Sequence, residues 1–216
     1  MTETSPAARF DEAFSALPLI AILRGLTPRE APGIARALHK AGFRLIEVPL
    51  NSPEPFESIR AIRDLLPPDA LVGAGTVTRL EDVRTLADIG ADLVVMPHGD
   101  VEIIRAAVAA GMICTPGIAT PTEAFAALAA GAAALKIFPA ELIGPPIIKA
   151  MRAVLPKEVR LVPVGGITPT TMEPFLAAGA AGFGLGSALY KPGSSVEEIS
   201  DRADAFVKAW GPLASR

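Results

Sequence analysis

The chain has 216 residues, 50% of them hydrophobic, and a formal net charge of −3. That length suits one domain with ample core material, and the acidic balance argues against a nucleic-acid or anionic-membrane surface, which needs a basic footprint. A single cysteine, Cys114, excludes an internal disulfide and makes a thiolate metal cluster implausible; set in an apolar run, it reads as an inert buried thiol.

The leading segment Met1–Phe10 is polar and mixed, without the apolar stretch of a secretory signal. No later run has the unbroken apolar length that spans a bilayer. A soluble, cytoplasmic protein is the expectation. Ala7–Ala16 has a helical pattern. After it, short apolar runs predict eight strands, over Leu19–Arg24, Leu45–Leu50, Leu71–Thr76, Leu93–Pro97, Ile113–Gly117, Ala134–Phe138, Leu161–Val164 and Gly182–Gly186. Their near-continuous apolar character predicts parallel strands covered on both faces. Helical patterns lie between them. Four open on a capping residue followed by proline, at Thr27-Pro28, Ser52-Pro53, Thr120-Pro121 and Thr168-Pro169. Gly42, Gly90, Gly111, Gly131 and Gly179 end helical stretches, where a residue with positive φ is often needed, and a new apolar run follows each. Eight such units predict an α/β fold, a (β/α)8 TIM barrel filling residues 1–216 as one domain. The extra helix over Ala7–Ala16 would cover its N-terminal mouth. No linker, low-complexity tract or second domain is visible.

In this architecture chemistry gathers where strands run out at their C-terminal ends. Lys136 stands inside Ala134–Phe138, where an ammonium is costly unless it is paired or gives up its proton. A neutral amine there is a nucleophile suited to Schiff-base chemistry with a carbonyl substrate. The alternative is a strand-end lysine that reaches water or pairs with a glutamate. Glu47, inside the second strand, is its natural partner. A buried pair often gives no net stability, so proton transfer by Glu47 competes with a structural salt bridge as the reason for it. Arg24 has the fork that grips a carboxylate, or forms a rim salt bridge. Gly165-Gly166 and Gly186-Ser187 follow the last two strands, where barrels often bind phosphate; ordinary turn geometry is the other reading. Thr76 and Phe138 are pocket candidates, although core packing explains Phe138 equally well. His98 ends a strand and could touch substrate, whereas His39 reads as helix surface. No His/Asp/Glu spacing suggests a metal site.

The segments PLIAILRGLTP, IEVPLNSP, LVGAGTVT, ALKIFPA, PVGGITP and GLGSALY together resemble the bacterial 2-keto-3-deoxy-6-phosphogluconate and -galactonate aldolase family, over about Pro18 to Lys208. The resemblance implies a class I aldolase without metal or cofactor, commonly a homotrimer, acting on a small phosphorylated 2-keto-3-deoxy sugar acid. It implies Lys136 as the Schiff-base lysine and Glu47 as the general acid/base. Arg24 and Thr76 would bind the substrate carboxylate, with Phe138, Pro97 and Val164 lining the pocket. Gly165, Gly166, Gly186 and Ser187 would hold the phosphate.

Two details are similar to the galactonate branch and so imply galactonate degradation. Leu50-Asn51-Ser52 stands where the gluconate branch carries an arginine, and Val164 replaces a threonine before the glycine pair. Val95-Met96-Pro97-His98 departs from the family's usual small or polar residues around that proline. The function implied is cleavage of 2-dehydro-3-deoxy-6-phosphogalactonate to pyruvate and D-glyceraldehyde 3-phosphate. The alternatives are the gluconate epimer or both epimers, a sugar-phosphate isomerase or epimerase, and a non-catalytic phosphosugar-binding protein.

Overall fold

The computed structural model describes residues 5–214. Residues 1–4 of the polar leading segment and residues 215–216 lie outside the described residues. Helix α1 (Pro6–Ala16) precedes β1 (Leu19–Ile22), and then α2 (Ala31–Lys40), β2 (Leu45–Pro49), α3 (Pro55–Leu65), β3 (Leu71–Gly75), α4 (Leu80–Asp88), β4 (Leu93–Val95) and α5 (Val101–Ala109) alternate. The second half runs β5 (Ile113–Thr115), β6 (Gly117–Ile118), α6 (Pro121–Ala129), β7 (Leu135–Ile137), α7 (Ala140–Arg152), β8 (Leu161–Pro163), α8 (Met172–Ala177), β9 (Phe183–Leu185) and α9 (Val196–Ala214).

This is an α/β fold on a curled parallel sheet. One segment has the strand order β5-β4-β3-β2-β1-β9 and the other β6-β7-β8. A parallel bridge between Val164 and Gly184 links the end of β8 to β9. At the other junction the β7 chain lies along both β5 and β6: Ala133 N–H donates to Cys114 O (3.0 Å) and Lys136 N–H to Pro116 O (2.9 Å).

The strand expected over Ile113–Gly117 is two short strands, because Pro116 has no N–H to continue the ladder. Most other strands stop one or two residues short of the expected ends. Beyond Ile22, Gly75 and Pro163 the backbone turns through positive φ at Gly25 (85°), Thr76 (56°) and Gly165 (116°), which takes it out of the sheet.

Thr120-Pro121 opens α6 as expected, with a full capping box in which Thr120 and Glu123 serve each other's backbone N–H. The other three proline signals mark turns that precede a helix. Thr27 N–H and Oγ1 both bond Glu30 Oε2 (3.1 and 2.6 Å), and α2 starts only at Ala31. Ser52 Oγ accepts from Gly25 N–H (2.9 Å), and the N-cap of α3 is Glu54, two residues further on. Thr168 N–H donates to Thr171 Oγ1 (2.9 Å) ahead of α8. All five helix-ending glycines have positive φ, from 70° to 107°.

Side chains alternate across each strand, and the sheet separates two apolar clusters. The larger, outer one packs residues such as Ala21, Ile46, Val72 and Val94 against Ile34, Leu38, Ile59 and Ile62 of the helices. The inner one gathers Ile20, Leu45, Leu71, Leu93, Ile113, Ala134 and Val162 with Phe10, Ala13 and Phe14 of α1. Burying each of those phenylalanines contributes about 2–3 kcal/mol. Arg160 lies over both rings, 5.3 and 5.0 Å from their centroids, and pairs with Asp11 at 2.7 Å. Glu47, Thr115, Lys136 and Val164 each follow a member of the inner cluster by two residues. The same alternation therefore points them to the inner face, one step towards the strand ends.

Candidate active site

Burial makes Glu47 and Lys136 unusual: they are 1% and 4% exposed. Glu47 registers with Ile22 on β1 and Gly73 on β3, and Lys136 with Gly117 on β6 and Val162 on β8. Room for the carboxylate comes from Gly75, since a β-carbon there would fall inside the Glu47 carboxyl group. Glu47 Oε2 is buried with no hydrogen-bond partner among the described residues. Such an atom is costly to keep dry, and it is free to engage a ligand hydroxyl or a water.

Electrostatics tune the pair in opposite directions. Burial raises the Glu47 pKa from 4.5 to about 7, against the lowering influence of Lys136 and Arg24. Burial lowers the Lys136 pKa; Glu47 opposes that, and Arg24 adds to it. Desolvation outweighs the mutual attraction, so burial favours the neutral form of both groups, and the Glu47 acid with its pKa of about 7 exchanges its proton near neutral pH. Lys136 Nζ also lies 4.9 Å from the centroid of the Phe138 ring.

Lys136 opens into a cavity of about 470 Å³ at the C-terminal ends of the strands. Eight of the residues singled out from sequence line it: Arg24, Lys136, Phe138, Val164, Gly165, Gly166, Gly186 and Ser187. Arg24 donates to Asn51 Oδ1 (2.6 Å) and to Thr76 Oγ1 (3.5 Å), so Thr76 reaches the cavity through the guanidinium. Glu47 lies off the wall and is coupled to Lys136 by charge. Pro97 is half-buried and packs on the β6 backbone at Gly117, away from the cavity lining. His98 is exposed and also off the lining, and His39 pairs with Asp69 at 3.0 Å on the surface.

Glu141, Tyr190, Lys191 and Pro192 line the cavity without having been singled out from sequence, and so does Thr168, which was expected only as a helix start. Glu141 and Lys191 look like ordinary surface charges in the chain. The one local hint was their closeness to the FPA and LGS segments, in which the strands run out.

Among the described residues no cluster of three or more His, Cys, Asp or Glu side chains could hold a metal ion, and no helix is long and apolar enough to cross a membrane. Hydrogen-bond donors, a nucleophilic amine and a carboxyl group with pKa near neutrality thus meet around one cavity. The set can bind a small anionic carbonyl compound, form an imine and move a proton.

Residues 10–203 match the family model described as "Aldolase: KDPG and KHG aldolase". The chain is 53% identical to the 2-dehydro-3-deoxy-6-phosphogalactonate aldolase of Escherichia coli (strain K12), over 90% of this chain and 95% of that one. Among solved structures, native KDPGal superposes with a TM-score of 0.89 at 52% identity, covering 92% of this chain and 96% of that one. The KDPG aldolase of Legionella pneumophila, with pyruvate captured at low pH as a covalent carbinolamine intermediate, superposes with a TM-score of 0.81 at 28% identity, covering 94% of this chain and 98% of that one.

Proposed function

The chain belongs to the KDPG and KHG aldolase family, and from that premise we propose that it is a class I aldolase cleaving 2-dehydro-3-deoxy-6-phosphogalactonate to pyruvate and D-glyceraldehyde 3-phosphate. The observation that carries this reading is the buried Lys136–Glu47 pair at a cavity whose wall includes two glycine-containing strand ends.

Lys136 attacks the C2 carbonyl, and loss of water leaves an iminium ion. That cation accepts the electron pair of the C3–C4 bond as it breaks. Glu47, acting through a water, removes the C4 hydroxyl proton, so the C4 fragment leaves as an aldehyde and an enamine remains. Protonation of C3 by Glu47 and hydrolysis of the imine release pyruvate and restore the amine. The electron sink forms on the protein itself, so no metal or cofactor enters the scheme. The pyruvate carbinolamine captured in the Legionella relative supports the first step.

Arg24, supported by Thr76, takes the substrate carboxylate. Phe138 and Val164 flank the reacting carbons, and Pro97 shapes the β4 side from behind. Gly165, Gly166, Gly186 and Ser187 take the phosphate. Val164 offers a methyl where a hydroxyl would bond a substrate hydroxyl, which favours one C4 epimer. The galactonate name of the Escherichia coli relative agrees with that choice, and with a role in galactonate degradation.

The same reading takes residues 1–216 as one (β/α)8 barrel domain with α1 as its extra N-terminal helix. The Val164–Gly184 bridge and the shared β5/β6 edge support closure. It also takes the protein as a cytoplasmic homotrimer.

The test is turnover of both C4 epimers. The galactonate epimer is expected to show the higher kcat/KM, and Lys136→Ala to abolish turnover of either. A preference for the gluconate epimer would overturn the substrate assignment, and a fully active Lys136→Ala the mechanism.

A further inference from the structure

Glu141 is the second residue of α7, and its exposed side chain lies across the Gly165-Gly166 pair. A β-carbon at Gly165 would overlap its carboxylate, and one at Gly166 would come within 2.6 Å of its Cγ. The two glycines have φ of 116° and 65°, a left-handed backbone that glycine adopts without steric cost. Arg24 and Lys191 line the same cavity, yet no ion pair or hydrogen bond joins Glu141 to either of them. A carboxylate therefore lies against the glycine pair by position, without a cation to explain it.

We propose that Glu141 is an internal competitor for the phosphate cradle: its carboxylate occupies the glycine pair when the site is empty and must swing aside to admit the substrate phosphate. This rests on the phosphate reading given above. Two anions cannot share the cradle, because their repulsion in a partly enclosed site is steep. The side chain is exposed at a helix start, so a rotamer change is enough to clear it. The fraction of molecules with the cradle open sets the apparent affinity, which falls by that fraction for any anion entering there. Glu141 thus tunes substrate affinity from outside the Lys136–Glu47 chemistry.

The test uses inorganic phosphate as a competitive inhibitor of wild type, Glu141→Gln and Glu141→Ala. Pyruvate, which carries no phosphate, serves as the internal control through borohydride trapping of its imine. Both variants should lower the inhibition constant for phosphate, and KM for the phosphorylated substrate, by roughly three- to tenfold. The pyruvate concentration giving half-maximal trapping should not move. Unchanged or weakened phosphate inhibition in both variants would overturn the proposal. A gain confined to Glu141→Ala would also overturn it, by assigning the effect to bulk and not to charge. If phosphate fails to inhibit even wild type, and Ser187→Ala leaves KM unmoved, the phosphate assignment itself falls, a result visible without either Glu141 variant.

Discussion

Glu47 and Lys136 are each costly in the interior, and their influence on one another makes distinct pH signatures. Glu47 must be ionised to take the C4 hydroxyl proton. With its pKa raised to about 7, kcat should decline as pH falls below about 7. Stability runs the other way. A carboxyl whose folded pKa is raised contributes stability that is complete below about 4.5 and lost as pH rises through about 7. Glu47→Gln should therefore be more stable than wild type at pH 8, by up to about 3 kcal/mol, with the gap closing at pH 5. Denaturant titrations at the two pH values check this. The same variant removes the one influence that holds the Lys136 pKa up, so imine trapping with pyruvate should extend to lower pH even as turnover collapses. Trapping that shifts to higher pH would contradict the coupling. Both residues were legible in the sequence because a charge inside an apolar strand is conspicuous. Glu141 and Lys191 were not, because their surroundings in the chain are those of any solvated helix start or loop.

Single elements carry the geometry. β3 holds Gly75 opposite the Glu47 carboxylate, so Gly75→Ala should displace it. The expected result is a loss of about 1–3 kcal/mol in stability from overpacking, with kcat reduced at least tenfold. Chemical denaturation and steady-state kinetics read the two effects separately. Thr120→Ala should instead cost about 1 kcal/mol through the α6 capping box without changing the rate, since Thr120 caps a helix away from the cavity lining. The strand rhythm and the helix-ending glycines could be read from sequence because period and φ requirement leave marks in residue type. Strand ends were overestimated for a physical reason: Arg24 and Thr76 follow an apolar run directly in sequence, while positive φ at Gly25 and Thr76 takes the backbone out of the sheet there. Thr27-Pro28 and Ser52-Pro53 misled because a threonine or serine before proline suits a turn as well as a cap. A local bond from Thr27 to Glu30 and a tertiary bond from Gly25 to Ser52 decided which.

In the molecule as a whole, the segment β5-β4-β3-β2-β1-β9 carries Glu47 on β2 and the segment β6-β7-β8 carries Lys136 on β7, and the curl of the two brings these residues from distant parts of the chain to one inner face. Their meeting depended on the curl of the sheet, which no local pattern records. The outer surface leaves Phe125 on α6 and Leu142 on α7 49% and 82% exposed, apolar area suited to subunit contact in the proposed trimer. The wild type is expected to sediment as the proposed trimer and the double variant Phe125→Glu/Leu142→Glu as monomer. A variant that stays trimeric would place the contact elsewhere.

Everything proposed for the cavity depends on an imine between Lys136 and the substrate carbonyl. Intact mass after incubation with pyruvate and borohydride, followed by peptide mapping, reads that bond. One reduced pyruvate adduct is expected, on Lys136. A folded protein that stays unmodified, or one labelled at another lysine while Lys136 remains free, would contradict it.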